Sequence, residues 1–325
     1  MNPALPVKGG NPGTMSLGLE YGGNSWFPPP RMAETTAAIP TLSASEWQER
    51  AARHRARAGQ WTRPALKRRA ARKAHPVEDF LFTYYPFSFG KLEEWHPEAG
   101  TTLEESAKLP ACWLKPPYRS QDGEVFADPA LLEAKEMARL RWTRELLAAT
   151  RDRAPNFACH GLHEWAMVYR GTDVRHALTT TLRLPQGEID ALVESRPIRC
   201  SHFDAFRFFH AEALPLNRLQ PTLMERPAFE QPACIHANMD LYKWAFKSMP
   251  WVGSDLLMDC FEQAMELRDL DMRASPYDLS AYGLEPVRIE TPEGRREYEK
   301  EQVRLAEKAA PLRARLIDVL ERVLP

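Results

Sequence analysis

Apolar residues recur at helical spacing in three stretches of the chain, and these stretches predict its main core helices. The first follows Asp128 and Pro129, an N-cap residue and a first-turn proline, and the second begins at Ser254. The third begins at Pro311. Their apolar faces comprise Leu132, Met137, Leu140 and Leu147, then Leu257, Cys260, Phe261, Ala264 and Leu267, then Leu312, Leu316, Val319, Leu320 and Val323. Alternating strand patterns are few and no fixed-period repeat occurs, so the sequence predicts a mainly α protein with a single helical domain and few strands.

The chain before residue 75 differs in composition from the rest. Residues 1–42 contain many glycines and three consecutive prolines at 28–30, and they are predicted to form a flexible or irregular N-terminal tail. Residues 43–74 are predicted to form a basic helical arm that is interrupted near Gly59 and Pro64. Residues 75–325, which no Gly/Ser linker divides, are the predicted helical catalytic domain, although its aromatic start at 75–86 fits either a strand or a helix.

Positive charge is concentrated in one short segment. Residues 51–73 contain nine Lys or Arg and no acid, whereas the whole chain of 325 residues has a net charge of −1 and the remainder therefore −10. Such a segment can bind phosphate groups, or it can be a solvated basic helix face. Both interpretations stay open at this stage.

The cysteines and the apolar runs indicate where the protein works. Five cysteines are widely spaced and form no C-x-x-C, which argues against a disulfide framework or a zinc ribbon. No apolar run is long enough to span a bilayer, and the N-terminus lacks the order of a secretory signal. We therefore expect a cytoplasmic protein with no membrane association, and nothing in the sequence implies a protein partner.

Ionisable residues are concentrated in three otherwise apolar, aromatic segments, Cys159–Tyr169, Cys200–His210 and Cys234–Trp244. Six of the nine histidines lie between His160 and His236. Burying so many ionisable groups costs several kcal/mol unless they pair or serve a function. We therefore expect a functional cleft built from these segments. The structural alternative is a set of buried histidines that bond carboxylates, or of helix ends capped by Asp.

The secondary structure of each segment decides which of its side chains meet. A helix over the first segment aligns His160 with Glu164, four residues apart. An extended second segment puts His202 and Asp204 on one face, and a helical one aligns His202 with Phe206 and His210 instead. A helix over the third aligns His236, Asp240 and Trp244, with Lys243 three residues after the acid.

The sequence lacks the motifs of several common classes of enzyme. The chain contains no phosphate-binding G-x-x-x-x-G-K-[ST], no G-x-G-x-x-G, no G-x-S-x-G and no H-E-x-x-H. A ferritin-like di-iron site needs two Glu-x-x-His pairs, and only Glu93 to His96 offers one. A mononuclear metal site remains an alternative, with ligands from His160, His163, His202 and Asp204.

Four motifs make the chain resemble a bacterial family, common in actinobacteria, that is labelled 3-methyladenine DNA glycosylase. The resemblance covers roughly residues 60 to 280, and its motifs are His75–Tyr85, Cys159–Trp165, Ser201–Phe209 and Cys234–Trp244. It implies excision of an alkylated purine from DNA. A bulky modified pyrimidine of phage DNA makes similar demands on a pocket, so repair and phage defence are both open roles.

One departure from other DNA glycosylases affects how DNA would be held. Most helix-hairpin-helix DNA glycosylases grip phosphate with a Leu-Pro-Gly-x-Gly hairpin, which is absent from this chain. The basic segment is then the candidate DNA-backbone contact, through Arg63, Lys67, Arg68, Arg69, Arg72 and Lys73. Lys243 is a further phosphate contact, or an amine that attacks the sugar to form a Schiff base.

The residues of the three segments can be assigned to base excision. Cleavage of an N-glycosidic bond builds positive charge on the sugar, which a carboxylate stabilises while a donor assists departure of the base. Asp240 is the first candidate carboxylate and Asp204 the second, and His202, His236 and Glu164 are the other candidate catalytic groups. The flipped base needs aromatic and polar contacts, for which the candidates are Trp165, Tyr169, Phe206, Asn238, Tyr242 and Trp244.

Two other classes of function compete with this one. The same His and Asp side chains can be ligands of a non-heme metal enzyme that acts on a small molecule. Alternatively, the chain is a nucleic-acid-binding protein whose buried His–Asp pairs are purely structural. The glycosylase hypothesis requires no cofactor, and bound metal would favour the second class.

Overall fold

The computed structural model describes residues 41–171 and 181–325, and in these residues the chain is mainly helical, as the sequence predicts. The longer helices are α1 (Ala44–Ala70), α4 (Ala134–Asp152), α9 (Ile235–Lys247), α10 (Ser254–Arg273) and α11 (Pro292–Val323). The shorter ones are α2 (Phe80–Tyr84), α3 (Phe89–Glu93), α5 (Leu162–Met167), α6 (Gln186–Glu194), α7 (Phe203–Phe206) and α8 (Arg226–Phe229). Short 3₁₀ helices cover Ala111–Leu114, Pro129–Leu131, Ala211–Leu216 and Ser280–Tyr282. Within the described ranges, no helix is both long and apolar enough to cross a membrane.

Strands are few, as expected, and those described form one small sheet in the order β1-β2-β4-β3. The strands are β1 (Thr41–Leu42), β2 (Thr102–Glu104), β3 (Tyr118–Gln121) and β4 (Glu124–Ala127). β1 runs parallel to β2, and β3 and β4 form an antiparallel hairpin. Its two turn residues, Asp122 and Gly123, have φ of +53° and +80°, as a tight hairpin turn demands. Residues 1–40 of the predicted tail lie outside the described residues, and its last two residues form β1.

The core is centred on α9 and α10, which pack side by side. α11 packs on both of them, and α4 packs on α11. Apolar residues recur along the buried face of α10 at helical spacing, among them Leu257, Cys260, Ala264 and Leu267. Because α9 and α10 are surrounded by other elements, any charged side chain on their inward faces is buried and must find a partner.

One predicted helix interruption and one predicted helix start are wrong. α1 is continuous through Gly59 and Pro64, and α11 begins at Pro292 and runs through Pro311, where the sequence predicted a helix start. Pro64 and Pro311 are both exposed. Water can therefore bond the carbonyl groups that each proline leaves unpaired, while the opposite face of the helix stays packed on the core.

Two predicted helix starts are displaced. The Asp128 carboxylate accepts a hydrogen bond from the Ala130 amide at 2.9 Å and caps the 3₁₀ helix that follows, whereas α4 begins only at Ala134. Ser254 is the first residue of α10 rather than its cap. Its hydroxyl instead accepts a bond from the His96 amide at 2.8 Å, because that neighbouring loop passes over the helix end.

The basic helix α1 packs on the rest of the protein along one face. Trp47, Ala58 and Ala65 on this face are buried. The Arg57 guanidinium lies 2.6 Å from the Glu262 carboxylate and 2.9 Å from that of Asp259, both on α10. These ion pairs and the buried face fix α1 to the central helix.

Candidate active site

A cavity of about 420 Å³ lies where α2, α5, α7 and α10 meet, a volume in the range of small-molecule sites. Its walls combine aromatic and ionisable side chains. The aromatic ones are Phe80, Tyr84, Phe208 and Tyr277, and the ionisable ones are Glu164, Asp204, Arg207, His236 and Arg268. Two networks of buried charges lie at these walls.

The first, which we name the Glu164 network, joins Glu164, His163, Asp271, Arg268 and His236. The His163 Nε2 atom lies 2.8 Å from the Asp271 carboxylate, and Arg268 donates to the other oxygen of Asp271 at 2.9 Å. The same guanidinium lies 3.6 Å from the Glu164 carboxyl, and His236 lies 3.8 Å from Asp271. Asp271 therefore holds the closest positive charges, and Glu164 lies at the margin of the network beside the cavity.

Burial sets the protonation of the Glu164 network. It raises the pKa of Glu164 to about 7, and the nearby charge of Asp271 adds to this effect. Burial lowers the pKa of His236 to about 3, so this ring is neutral at pH 7. Burial alone would raise the pKa of Asp271, but His236 and His163 hold it well below its usual range. Glu164 is thus a carboxyl group that can give up or take a proton near neutral pH.

The second network, the Asp204 network, is formed by Asp204, Asp240, Arg226, Lys243 and Glu230. The Lys243 ammonium lies 3.0 Å from an Asp204 oxygen and 2.9 Å from an Asp240 oxygen. The Arg226 guanidinium donates to Asp240 at 2.7 Å and to Glu230 at 2.6 Å, and it lies 3.2 Å from Asp204. Two cations therefore join three carboxylates.

These cations keep the aspartates ionised. Burial alone would raise the pKa of Asp240, but Lys243, His202 and Arg226 hold it well below its ordinary value. The pKa of Asp204 is likewise lowered, because Lys243 and Arg226 outweigh burial and the charge of Asp240. A carboxylate with a depressed pKa can stabilise positive charge on a neighbouring atom.

Asp204 and Asp240 differ in their relation to the cavity. The Asp204 side chain is 14% exposed and lines the cavity. Asp240 is 1% exposed, and the Tyr85 hydroxyl donates to its other oxygen at 2.5 Å. The sequence put Asp240 first, whereas in the structure Asp204 faces the cavity and Asp240 lies behind it.

The predicted histidines are distributed over both networks. His202 lies 3.3 Å from Asp240, and its ring stacks against that of His236 with centroids 5.6 Å apart. His202 is the N-cap of α7 with extended backbone, whereas Asp204 lies inside that helix, so the segment is neither extended nor helical throughout and neither predicted alignment holds in full. His160 precedes α5 with φ of +47° and lies 3.7 Å from Glu299, so the predicted helical alignment with Glu164 is wrong. Gly161, at +74°, starts the helix only after His160.

The six predicted base-binding residues are buried and are not among the residues that line the described cavity. Trp165 is fully buried and its indole N–H donates to the Ala274 carbonyl at 2.9 Å. Tyr169 donates to Glu194 at 2.5 Å, and the Asn238 amide bonds Pro232 and Arg313. The remaining three are buried against other side chains. Phe206 packs on Phe209, and Tyr242 packs on Phe261. Trp244 contacts the Trp142 ring and the cations of Arg226 and Lys243.

The aromatic wall of the cavity is supplied by residues that sequence reasoning did not assign to a site. Phe80 and Tyr84 lie four residues apart on α2, with rings stacked at 5.1 Å, inside the motif His75–Tyr85. The i,i+4 spacing of two aromatic residues was a usable signal once this stretch is helical. Phe208 follows α7 and comes from the second segment.

In residues 41–171 and 181–325, three groups of side chains place potential metal-ligand atoms within 4.8 Å of one another. Two are buried and belong to the networks above, namely His163, Glu164, His236 and Asp271, and His202, Glu230 and Asp240. Each already contains a guanidinium in contact with its carboxylates, from Arg268 or Arg226. The predicted ligand set does not form one group among the described residues, since His163 and His202 fall in different groups and His160 and Asp204 in neither. The third group is Glu94, His96 and Cys112.

The predicted DNA-backbone residues of the basic segment lie at the C-terminal half of α1 and just after it. Arg63, Lys67, Arg69, Arg72 and Lys73 are exposed. Arg68 instead lies 2.6 Å from both Glu78 and Asp79, and Asp79 directly precedes Phe80 of the cavity wall. Lys243, the other predicted phosphate contact, is 13% exposed and engaged by two carboxylates.

No protein-family model, no curated protein and no solved structure matches the chain. The likeness to DNA glycosylases therefore stays a prediction that depends on the four motifs. A functional proposal has to depend on the cavity and its two networks.

Proposed function

We propose that the protein is a DNA glycosylase that hydrolyses the N-glycosidic bond of a damaged or modified base flipped into the cavity. One observation carries the proposal. Two carboxyl groups whose pKa values are shifted in opposite directions, raised for Glu164 and lowered for Asp204, line the same aromatic cavity. Such a pair is what acid-assisted cleavage of a glycosidic bond requires.

Each carboxyl group has one role in this reaction. The C1′–N bond breaks and its electrons leave with the base, which takes a proton from Glu164. Asp204 stabilises the positive charge that develops on the sugar and accepts a proton from the water that attacks C1′. Phe80 and Tyr84 stack on the extruded base. After release, Asp204 gives its proton to solvent and Glu164 regains one from solvent, which restores both groups.

The residues behind Asp204 support the hydrolytic route. The Lys243 ammonium lies between two carboxylates, 3.0 Å from Asp204 and 2.9 Å from Asp240, and is held by both of them. An ammonium has no free electron pair with which to attack a sugar, so a Schiff-base mechanism is disfavoured. Arg226 and Lys243 act as positioning residues that hold Asp204 ionised, and Asp240 in turn binds both of these cations.

DNA binding in this proposal depends on the exposed cations of α1. They supply affinity that is independent of sequence and weakens with salt. The bond from Arg68 to Asp79 puts this end of α1 next to Phe80, so a duplex on α1 would lie close to the cavity.

The competing metal-enzyme hypothesis has one observation in its favour. His163, Glu164, His236 and Asp271 bring four ligand atoms within 4.8 Å of one another at the cavity. The Arg268 guanidinium, however, already neutralises Asp271 at 2.9 Å and would repel a divalent cation. Metal that is bound in the purified protein and lost on Asp271→Asn would favour this hypothesis.

The test is mass spectrometry of free bases released from DNA. Purified protein is incubated with methylated DNA and, separately, with hypermodified phage DNA, which distinguishes a repair substrate from a defence substrate. We expect release from one of them that Glu164→Gln and Asp204→Asn each abolish. Glu188→Gln, at an exposed position on α6, is the matched control and should retain activity.

Two outcomes would contradict the proposal. Release that survives both substitutions would remove the two carboxyl groups from the mechanism. DNA binding without release from any substrate would instead support the nucleic-acid-binding hypothesis, in which the networks are structural.

A further inference from the structure

A third cluster of ligand atoms lies away from the cavity, at Glu94, His96 and Cys112. One atom from each side chain lies within 4.8 Å of those of the other two. Glu94 ends α3 with extended backbone, so its side chain and that of His96, two residues later, can project to the same side. Cys112 belongs to the 3₁₀ helix that precedes the β3–β4 hairpin.

The hydrogen bonding of His96 leaves one ring nitrogen directed to this cluster. Its Nδ1 atom lies 2.8 Å from the hydroxyl of the buried Tyr118. Its Nε2 atom lies 3.7 Å from a Glu94 oxygen, which is longer than a hydrogen bond. A histidine held at one nitrogen by a polar partner, with the other nitrogen near a carboxylate, has the arrangement of a metal ligand with its supporting contact.

The charge around the cluster differs from that of the two cavity networks. Its one lysine or arginine partner among the described residues is Lys91, whose Nζ lies 2.7 Å from Glu94. Lys91 is 57% exposed, and such surface pairs contribute little free energy. A metal ion can therefore displace Lys91, whereas it cannot displace the buried guanidinium groups of the other two clusters.

We propose that Glu94, His96 and Cys112 bind a zinc ion, with water as its fourth ligand. Sulfur, imidazole and carboxylate donors together suit zinc, which prefers four ligands in tetrahedral arrangement. Binding removes the thiol proton of Cys112 to solvent and forms a Zn–S bond. The ion joins the end of α3 to the 3₁₀ helix before the hairpin, so its role is to stabilise this side of the fold.

The proposal is tested with cobalt as a spectroscopic substitute and zinc as competitor. Full-length protein freed of metal by a chelator is titrated with Co²⁺ alone. We expect one equivalent to bind, with a thiolate-to-cobalt absorption band that zinc abolishes and that Cys112→Ala lacks. Cys260→Ala removes a buried thiol of α10 and should keep both the stoichiometry and the band.

Glu94→Gln serves as a second variant, because Glu94 is 37% exposed and the substitution conserves its shape. We expect at least a tenfold weaker affinity for zinc in this variant, and a melting temperature that zinc raises less than in the wild type. The proposal is overturned if wild-type protein binds no cobalt or zinc, or if Cys112→Ala binds either metal as the wild type does. These results do not depend on whether the protein excises bases.

Discussion

In the Glu164 network the Arg268 guanidinium lies 3.6 Å from the Glu164 carboxyl, whereas in the Asp204 network Lys243 and Arg226 lie 3.0 Å and 3.2 Å from Asp204. Both networks are largely buried, and each contains carboxylates and one arginine; the Glu164 network adds two histidines and the Asp204 network a lysine. The closer cations stabilise the charged form of Asp204 and lower its pKa. At Glu164 burial has a larger effect than the more distant guanidinium, so its pKa is raised. Distances to a cation therefore decide which carboxyl group at the cavity keeps a proton.

The largest effect on stability is expected from removal of Arg226, the cation that contacts all three carboxylates of the Asp204 network. Arg226→Met leaves Asp240 and Glu230 buried without their guanidinium partner, and we expect a loss of about 3–5 kcal/mol in the free energy of unfolding. Urea denaturation measures this loss. Arg207→Met, on the exposed side of Asp204, should cost under about 0.5 kcal/mol, and equal effects of the two substitutions would contradict the network.

The second test acts on the protonated carboxyl group. Glu164→Gln should lower the rate of base release by about 10²–10⁴-fold, the usual contribution of a general acid. The wild-type rate should fall above about pH 7, where Glu164 loses its proton. A pH–rate profile checks both points, and a wild-type rate that is constant from pH 6 to 9 would exclude Glu164 as the acid.

The two networks also predict opposite effects of pH on stability. Folded Glu164 has a raised pKa, so the folded state binds more protons than the unfolded state, and stability falls as pH rises from about 4.5 to about 7. From the size of the shift, the loss amounts to about 3 kcal/mol. Asp240 has a depressed pKa, so its contribution is present above its unfolded value of 3.8 and is lost as pH falls through the folded value.

Urea denaturation from about pH 2 to 8 measures these slopes. In Glu164→Gln the decline between pH 4.5 and 7 should be flatter than in the wild type, whereas the acid side should be unchanged. Parallel curves for the two proteins would show that Glu164 does not hold a proton in the folded state.

The smallest effect is expected outside both networks, on α1 and the residues that directly follow it. Replacing Lys67 and Lys73 by Gln should weaken DNA binding without changing either pH profile. The slope of log affinity against log salt should fall by about 1 for each phosphate that is no longer bound. Fluorescence anisotropy at several salt concentrations measures it. Lys300→Gln, exposed on α11, is the control, and an equal effect there would mean that α1 is not the DNA-binding surface.

Helical spacing predicted one part of the site correctly. Asp240 and Lys243 lie three residues apart on α9, and the Lys243 ammonium contacts both Asp240 and Asp204, which comes from the second segment. Local periodicity determines the pairing within α9 because this helix is regular. Arg226, which contacts the same two aspartates, lies on the four-residue helix α8. So short an element has no periodic signal in the sequence, and its arginine could not be assigned to the site.

The position of Asp271 in the sequence contains a signal that could have predicted its place in the site. It continues the stripe formed by Leu257, Cys260, Ala264 and Leu267 at spacings of three and four residues, so its position alone predicts burial. A carboxylate on a buried stripe needs a partner, and His163 provides it. The aromatic predictions depended on residue type alone, and Trp165 lies in the core because large apolar rings fill cores as readily as pockets.

The central helix α10 contacts both functional regions of the molecule. Asp259 holds the basic helix through Arg57, and Asp271 lies in the network at the cavity, twelve residues further along. A continuous helix separates these points by roughly 18 Å along its axis, at 1.5 Å per residue. Under the proposed function, this spacing would set the distance between a duplex bound along α1 and the cavity that receives the flipped base.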